Sequence, residues 1–178
     1  IAWSAKEKRL FALNGSGRAP SGATPAHLAE RGHTDHVPLL GIDSVTIPGA
    51  VDGWDALLKR YGSRSFQQVL QPAIDIATQG FGVSERIAND WSGGVEALAG
   101  DPDSVKTYLV NGKSPPAYSV FRNPDLARAF SALGKGGRDA FYKGEIAAAI
   151  LAKSRALGGT ITPADLANTH ATWETPLT

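Results

Sequence analysis

The chain has 178 residues, a formal net charge of +1 at pH 7 and 42% apolar residues, as expected of a folded domain with its own core. This charge provides no electrostatic attraction for nucleic acid or an anionic membrane, and no run of about 18 apolar residues predicts a membrane span, so neither partner is expected. The absence of cysteine excludes disulfides, thiolate zinc sites and a cysteine nucleophile, and it leaves the compartment, cytoplasmic or periplasmic, open.

The beginning of the chain predicts a small β structure followed by loops. Residues 1–13 read "IAWSAKEKRLFAL" and place two apolar runs around a polar turn, which is typical of a hairpin. Residues 14–48 are rich in Gly, Pro, Ser and Thr and are expected to be irregular. Within them, "DSVTIPG" alternates apolar and polar residues, which predicts a short strand that ends at Pro48.

Most of the remaining sequence has the periodicity of helices. Pro72 is expected to kink one helix or to divide it in two. Residues 111–121 are expected to form a loop, and residues 173–178 to be extended. The predicted helical segments are 52–62 ending at Gly62, 65–80 capped by Ser65, 83–100 capped by Ser84, 101–110 with Pro102 in its first turn, 123–137, 138–159 ending at a glycine pair, and 162–170 capped by Thr162.

Together these elements predict a single α+β domain over residues 1–178, mostly helical, with its β part at the N-terminal end. No repeat or linker divides it. The sequence contains no methionine and opens with "IAW", which looks like the tail of a strand. We therefore expect an internal fragment of a longer protein.

The histidines do not make a metal-binding motif. "HTDH" at residues 33–36 offers two imidazoles and a carboxylate, whereas a zinc site needs about three or four ligands in tetrahedral geometry. A polar loop produces this pattern by chance. Solvated loop positions for His33 and His36 are therefore the favoured interpretation, and no metal or other cofactor is expected.

Other motifs for phosphate binding or nucleophilic catalysis are incomplete. "NGKS" at residues 111–114 ends like a phosphate-binding loop, but Thr107 stands where the pattern requires glycine. No serine lies in a Gly-x-Ser-x-Gly elbow. Asp52 and Asp55 are three residues apart on a predicted helix and could face together, although a solvated helix face is the favoured interpretation.

One loop carries a candidate binding group. "LNGSGRAP" at residues 13–20 places three small residues before Arg18 and a stiffening Pro20 after it. Arginine presents a planar fork that binds carboxylates through two hydrogen bonds. The residues alone leave two interpretations open: Arg18 recognises an anion, or it is a charge on a solvated turn.

Several collinear segments resemble the γ-glutamyltranspeptidase family. The similarity covers "SVTIPGAVDGWDALLKRYGSRSFQQVLQPAIDIATQGFGVSERIA" (residues 44–88) and "GGRDAFYKGEIAAAILAKSRALGGTITPADLANTHATWETPL" (residues 136–177). "LNGSGRAP" falls where the family has a loop that opens the large subunit's share of the substrate pocket. The match extends over nearly the whole chain and is weakest in residues 89–135.

The resemblance implies an N-terminal nucleophile hydrolase with a four-layer αββα fold. The family precursor cuts itself into a large and a small subunit, and the new N-terminal threonine of the small subunit attacks a γ-glutamyl amide. This chain would be the middle of the large subunit, with the catalytic threonine outside it. The implied partners are the small subunit and a small γ-glutamyl or other acyl-amide substrate, and a homo-oligomer is left open.

The loop departs from the family pattern at the position that matters for substrate. The family's loop reads approximately Leu-Asp-Gly-Arg-Glu-Thr-Ala-Pro, and its arginine grips the α-carboxylate of the glutamyl group. In this chain Ser16 stands at the place of that arginine, and Arg18 follows two residues later. The resemblance thus implies substrate binding by Arg18 and Ser16 in a divergent branch.

Two alternatives to a γ-glutamyl enzyme follow from these observations. One is an acylase of the same fold that acts on another amide. The other is a helical interaction module without catalytic activity, in which the Arg18 loop is an ordinary turn.

Overall fold

The computed structural model describes residues 1–177. Its strands are β1 (Ala2–Ser4), β2 (Arg9–Asn14), β3 (Phe81–Gly82), β4 (Val120–Phe121) and β5 (Thr172–Glu174). Its α-helices are α1 (Pro25–Glu30), α2 (Ala50–Tyr61), α3 (Phe66–Gln79), α4 (Glu85–Ser92), α5 (Val95–Ala99), α6 (Pro102–Tyr108), α7 (Pro124–Tyr142), α8 (Glu145–Ala156) and α9 (Pro163–Ala167). Within these residues, the helices are too short or too polar to cross a membrane.

The chain divides into two compact units. The first comprises Ile1–Gln68 and the segment from Ala132 onward, and the second is Val69–Ser131. The first unit contains a three-stranded sheet and a buried group that includes Val51, Leu133 and Leu166. The second unit contains α4, α5 and α6.

The predicted N-terminal hairpin is confirmed. β1 and β2 are antiparallel, with Trp3 opposite Leu10, and β5 adds to the other side of β2 with Trp173 opposite Leu13. One face of this sheet carries Phe11, whose ring stacks on Tyr61 at the end of α2 with 4.4 Å between centroids. Aromatic packing of this kind fixes α2 against the sheet.

The opposite face of the hairpin is exposed. Trp3 and Leu10 lie next to each other with 59% and 41% of their surface accessible, and Ile1 adds to the same end of the sheet. β1 and β5 are the outer strands of the described sheet. Exposed apolar faces and free strand edges promote association.

The 178-residue chain by itself is therefore expected to self-associate. Replacing Trp3 and Leu10 by serine should shift sedimentation velocity profiles toward a monomer at equal protein concentration, because the apolar face is lost. Leu39→Ser is the matched control, since Leu39 is 96% exposed in a loop outside the sheet. A monomeric parent chain that unfolds cooperatively would contradict this expectation.

Helix boundaries follow local capping chemistry. Ser65 accepts from the Gln68 amide at 3.2 Å while its own amide donates to the Gln68 side chain at 2.9 Å. Thr162 and Asp165 form the same reciprocal box at the start of α9. Gly62 ends α2, as predicted. The two boxes satisfy amide groups that the first helical turn leaves unpaired, and the Gly62 amide donates to the Leu58 carbonyl in the last turn of α2.

The second unit is a helical cluster around a two-stranded ribbon. β3 pairs with β4 in antiparallel register, and the Phe81 and Phe121 rings meet at 5.9 Å. Trp91 of α4 packs edge-on against Phe121 at 4.8 Å. Ser84 and Asp101 cap α4 and α6, and Pro102 occupies the first turn of α6. The Ser84 cap and the first-turn position of Pro102 confirm those predictions, whereas the helix predicted over residues 83–100 is divided into α4 and α5 at Gly93 and Gly94.

Two predictions about the loop region 14–48 are wrong. "TPAHLAE" forms the short helix α1, whose first turn is capped by the Thr24 hydroxyl, which accepts from the His27 amide at 3.2 Å. Residues 43–49 do not form a strand: they continue from a 3₁₀ turn at Ile42–Ser44 into irregular backbone. The Ile47 amide donates to the carbonyl of Arg18 at 2.8 Å. Arg18 lies in a loop, so this hydrogen bond does not belong to a pair of β-strands.

Of the two outcomes expected at Pro72, a kink or a division of the helix, the division is wrong. α3 runs through Pro72 as one helix, although proline removes one backbone donor. Burial of Leu70 and Ala77 along one side of α3 offsets that loss. The predicted helix 138–159 is interrupted at Gly144, whose backbone is extended, while Gly137 has φ of 60° inside α7 and marks the predicted boundary. Of the segment 173–178 predicted to be extended, β5 takes Trp173 and Glu174, and Thr178 lies outside the described residues.

Candidate functional site

The Arg18 loop (residues 14–20) begins where β2 ends. The Asn14 side chain accepts from the Ser16 amide at 3.0 Å, which turns the chain away from the sheet. The side chains of Ser16 and Arg18 are both exposed on this loop, and Pro20 at its end is buried. The loop is therefore anchored at both ends and presents two polar side chains between them.

Backbone contacts hold the Arg18 loop against the segment that leads into α2. A Cβ at Gly17 would overlap the carbonyl oxygen of Ile47, and a Cβ at Gly49 would overlap the carbonyl oxygen of Gly15. The Arg18 carbonyl accepts from the Ile47 amide at 2.8 Å. Glycine is required at positions 17 and 49 because the two backbones approach too closely for any side chain.

The Arg18 guanidinium has no hydrogen bond or ion pair to any group in the part of the chain that the structure describes. The backbone of the Arg18 loop is held in place while its guanidinium is unpaired, and this arrangement is suited to binding an anionic ligand. The roles of Arg18 and Ser16 in substrate binding stay predictions.

Beneath the loop, a buried tyrosine bridges the start of α2. The Tyr142 hydroxyl donates to the Pro48 carbonyl at 2.7 Å and accepts from the Asp52 amide at 3.1 Å. Only 2% of Tyr142 is accessible. The amide of Asp52 is one of the donors that the first helical turn leaves without a partner, so Tyr142 replaces an ordinary N-terminal cap. Burial raises the pKa of the Tyr142 hydroxyl, which keeps it a neutral donor.

A buried ion pair stands beside this tyrosine. Arg138 donates from Nε to the Asp52 carboxylate, from a terminal nitrogen to the Thr169 carbonyl, and its guanidinium lies over the Tyr142 ring, 4.7 Å from the centroid. The second Asp52 carboxylate oxygen accepts from the Ala171 amide at 2.5 Å. Burial lowers the pKa of Arg138, but the hydrogen bond and negative charge of Asp52 outweigh it, so the pKa of Arg138 is raised and its guanidinium stays charged.

The interpretation of Asp52 as part of a solvated helix face is wrong. Asp52 is 7% exposed and points inward, whereas Asp55 pairs with Lys59 on the surface at 2.7 Å. The sequence signal was a carboxylate set among small and apolar residues in "GAVDGW". Its partner Arg138 is 86 residues away, so the pairing is invisible to local patterns.

The histidine-rich segment forms a local cluster around Asp43. Arg31 Nε lies 2.7 Å and His33 Nε2 3.3 Å from one Asp43 oxygen, and the hydrogen bond from Arg31 holds the pKa of Asp43 below its usual value. His33 lies in a loop, as predicted, but is partly buried, whereas His36 is exposed. Among residues 1–177, His, Asp and Glu side chains form no group of three or more arranged to hold a metal ion.

Comparisons with known proteins agree in naming one family. The family model described as "Gamma-glutamyltranspeptidase" matches residues 1–178. A glutathione hydrolase-like proenzyme of Bacillus subtilis is 34% identical over 99% of this chain and 33% of its own length. An oxamate amidohydrolase proenzyme of Klebsiella pneumoniae is 33% identical over 94% of this chain and 32% of its own length. This chain thus spans about a third of the length of these curated relatives.

Solved structures extend the agreement to the fold. A cephalosporin acylase from Bacillus halodurans superimposes with a TM-score of 0.92 and 30% identity, covering 98% of this chain and 33% of that one. The Helicobacter pylori γ-glutamyltranspeptidase gives a TM-score of 0.89 and 28% identity, covering 96% and 50%. The predicted fold class, a mostly helical part of the N-terminal nucleophile hydrolase fold, is confirmed. The chain belongs to the γ-glutamyltranspeptidase family.

Proposed function

We propose that these residues form part of the large subunit of an amide hydrolase or acyl transferase. Membership of the γ-glutamyltranspeptidase family supports this, as do relatives named as hydrolases and acylases, several of them proenzymes. The nucleophile is the N-terminal threonine of a small subunit outside this chain. Its hydroxyl adds to the amide carbonyl while the α-amine takes the proton. The C–N bond then breaks, the α-amine returns that proton to the departing amine, and an acyl-enzyme remains. Water or an acceptor amine then releases the acyl group.

The part of this chemistry that we assign to the present chain is recognition of the acyl group. The observation that carries it is the Arg18 guanidinium: exposed, unpaired within the described residues, and mounted on a backbone that glycine contacts hold in place. Arg18 binds a carboxylate of the acyl group, and the nearby Ser16 hydroxyl offers a further hydrogen bond. A substrate with a carboxylate on its acyl side, γ-glutamyl or related, satisfies both groups.

The 178-residue chain alone is expected to show no turnover of γ-glutamyl-p-nitroanilide, because it lacks an activated nucleophile. A precursor containing these residues should instead split into two chains, expose a new N-terminal threonine on sequencing, and hydrolyse an amide. The measurement is release of p-nitroaniline by the two preparations at equal molar concentration.

Two outcomes would contradict the proposal. Turnover by the isolated chain, purified free of contaminating hydrolase, would place the nucleophile within it. A precursor that neither cleaves itself nor hydrolyses any amide would favour the interaction module.

A further inference from the structure

The segment Ile47–Gly49 lies between two features of the first unit. On one side it supports the Arg18 loop, through the Ile47 amide, which donates to the Arg18 carbonyl, and through the close approach of Gly49 to Gly15. On the other side it is held by the Tyr142 hydroxyl, which donates to the Pro48 carbonyl at 2.7 Å. A shift of this segment therefore moves the backbone that carries Arg18.

Contacts with Asp52 and Arg138 fix the position of the Tyr142 side chain. Its hydroxyl accepts from the Asp52 amide, and the Arg138 guanidinium covers its ring at 4.7 Å while bound to the Asp52 carboxylate. The Tyr142 hydroxyl thus donates to Pro48 and accepts from Asp52, four residues further along the chain. Removing the hydroxyl leaves the Pro48 carbonyl and the Asp52 amide without these partners but keeps the ring and its contact with Arg138.

We propose that Tyr142 is a positioning residue for acyl recognition: its hydroxyl fixes the turn at Pro48 and thereby the distance from Arg18 to the substrate carboxylate. This inference rests on the proposed function of Arg18. Arg18 contacts the substrate, whereas Tyr142 acts only through the backbone of residues 47–49. A bidentate contact depends steeply on position, so a small displacement of the loop weakens carboxylate binding without touching the nucleophile.

The test uses the intact enzyme and two anilides that differ by one group. γ-Glutamyl-p-nitroanilide carries the acyl carboxylate, and 4-aminobutyryl-p-nitroanilide lacks it. The ratio of their kcat/KM values measures discrimination, and the fraction of active enzyme cancels because both substrates are assayed on one sample. A variant that merely folds less well does not change this ratio.

Tyr142→Phe is expected to lower the discrimination ratio by about three- to tenfold, through a higher KM for the γ-glutamyl substrate with kcat nearly unchanged. In an Arg18→Ala background the same substitution should leave the ratio unchanged, because the group being positioned is absent. Tyr118→Phe is the control: Tyr118 is exposed and also loses one hydroxyl hydrogen bond, to Glu85 at 2.5 Å, in the other unit.

The outcomes separate the two proposals. If Arg18→Ala abolishes discrimination and Tyr142→Phe keeps the wild-type ratio, the positioning role of Tyr142 is overturned and the function of Arg18 stands. If Tyr142→Phe lowers the ratio equally with and without Arg18, Tyr142 acts by another route and the inference is likewise overturned. If the wild-type enzyme does not discriminate, or Arg18→Ala leaves the ratio intact, the proposed function itself fails, and this inference fails with it.

Discussion

Replacing Arg18 by alanine or by lysine in the intact enzyme is expected to lower kcat/KM for a carboxylate-bearing amide by at least about tenfold. A charge-assisted, bidentate contact in a partly dry pocket contributes about 1.5 to 3 kcal/mol, which corresponds to roughly ten- to a hundredfold in affinity. Lysine keeps the charge but lacks the planar fork, so it should not restore the contact. Steady-state kinetics with γ-glutamyl-p-nitroanilide and its carboxylate-free analogue measure the effect.

Arg64→Ala provides the matched control for Arg18. Arg64 is exposed in the bend after α2 and takes no part in the glycine contacts that hold the Arg18 loop. Its replacement should leave the kinetics with both substrates unchanged. If both Arg18 variants keep wild-type kinetics and lose only thermal stability, the role of Arg18 is structural, and this loop does not bind the substrate carboxylate.

Asp52→Ala is expected to destabilise the protein by about 3 kcal/mol. The substitution leaves the Arg138 guanidinium without its carboxylate and the Ala171 amide without its acceptor, in a region where Asp52 is 7% exposed and the Arg138 side chain 20%. Removing one partner of a buried pair typically costs about 3 to 5 kcal/mol, and the partial exposure of Arg138 places this pair at the lower end. The midpoint of urea denaturation of the intact protein measures the loss.

A second variant distinguishes an uncompensated charge from simple loss of packing. Asp52→Ala combined with Arg138→Met removes both charges and should recover part of the stability that the single substitution loses. Asp125→Ala is the control on the same helix as Arg138, because Asp125 is exposed and pairs with Arg128 at the surface. An unchanged midpoint in Asp52→Ala would mean that the pair contributes nothing to the fold.

The predicted helix starts agree with the structure for a local reason. Ser65, Ser84 and Thr162 cap their helices because a side-chain oxygen reaches an amide three residues ahead, which needs no information from elsewhere in the chain. The hairpin at residues 1–14 likewise depends on neighbouring residues. The errors occurred where distant contacts outweigh local preference, as at Asp52, which was predicted to lie on a solvated helix face and instead pairs with Arg138.

The sequence by itself determined the family, the mostly helical class, the helix caps and the presence of a glycine-rich, arginine-bearing loop, because each depends on residue type and short spacing. Only the tertiary structure decided how that loop is held. Asp52 and Arg138 are 86 positions apart, and the Tyr142 hydroxyl reaches the Pro48 carbonyl across 94 positions. Buried polar groups cannot hydrogen-bond to water, so they form hydrogen bonds with each other in the folded protein. Partners that are so distant in the chain produce no periodic pattern from which a single sequence could predict the pairing.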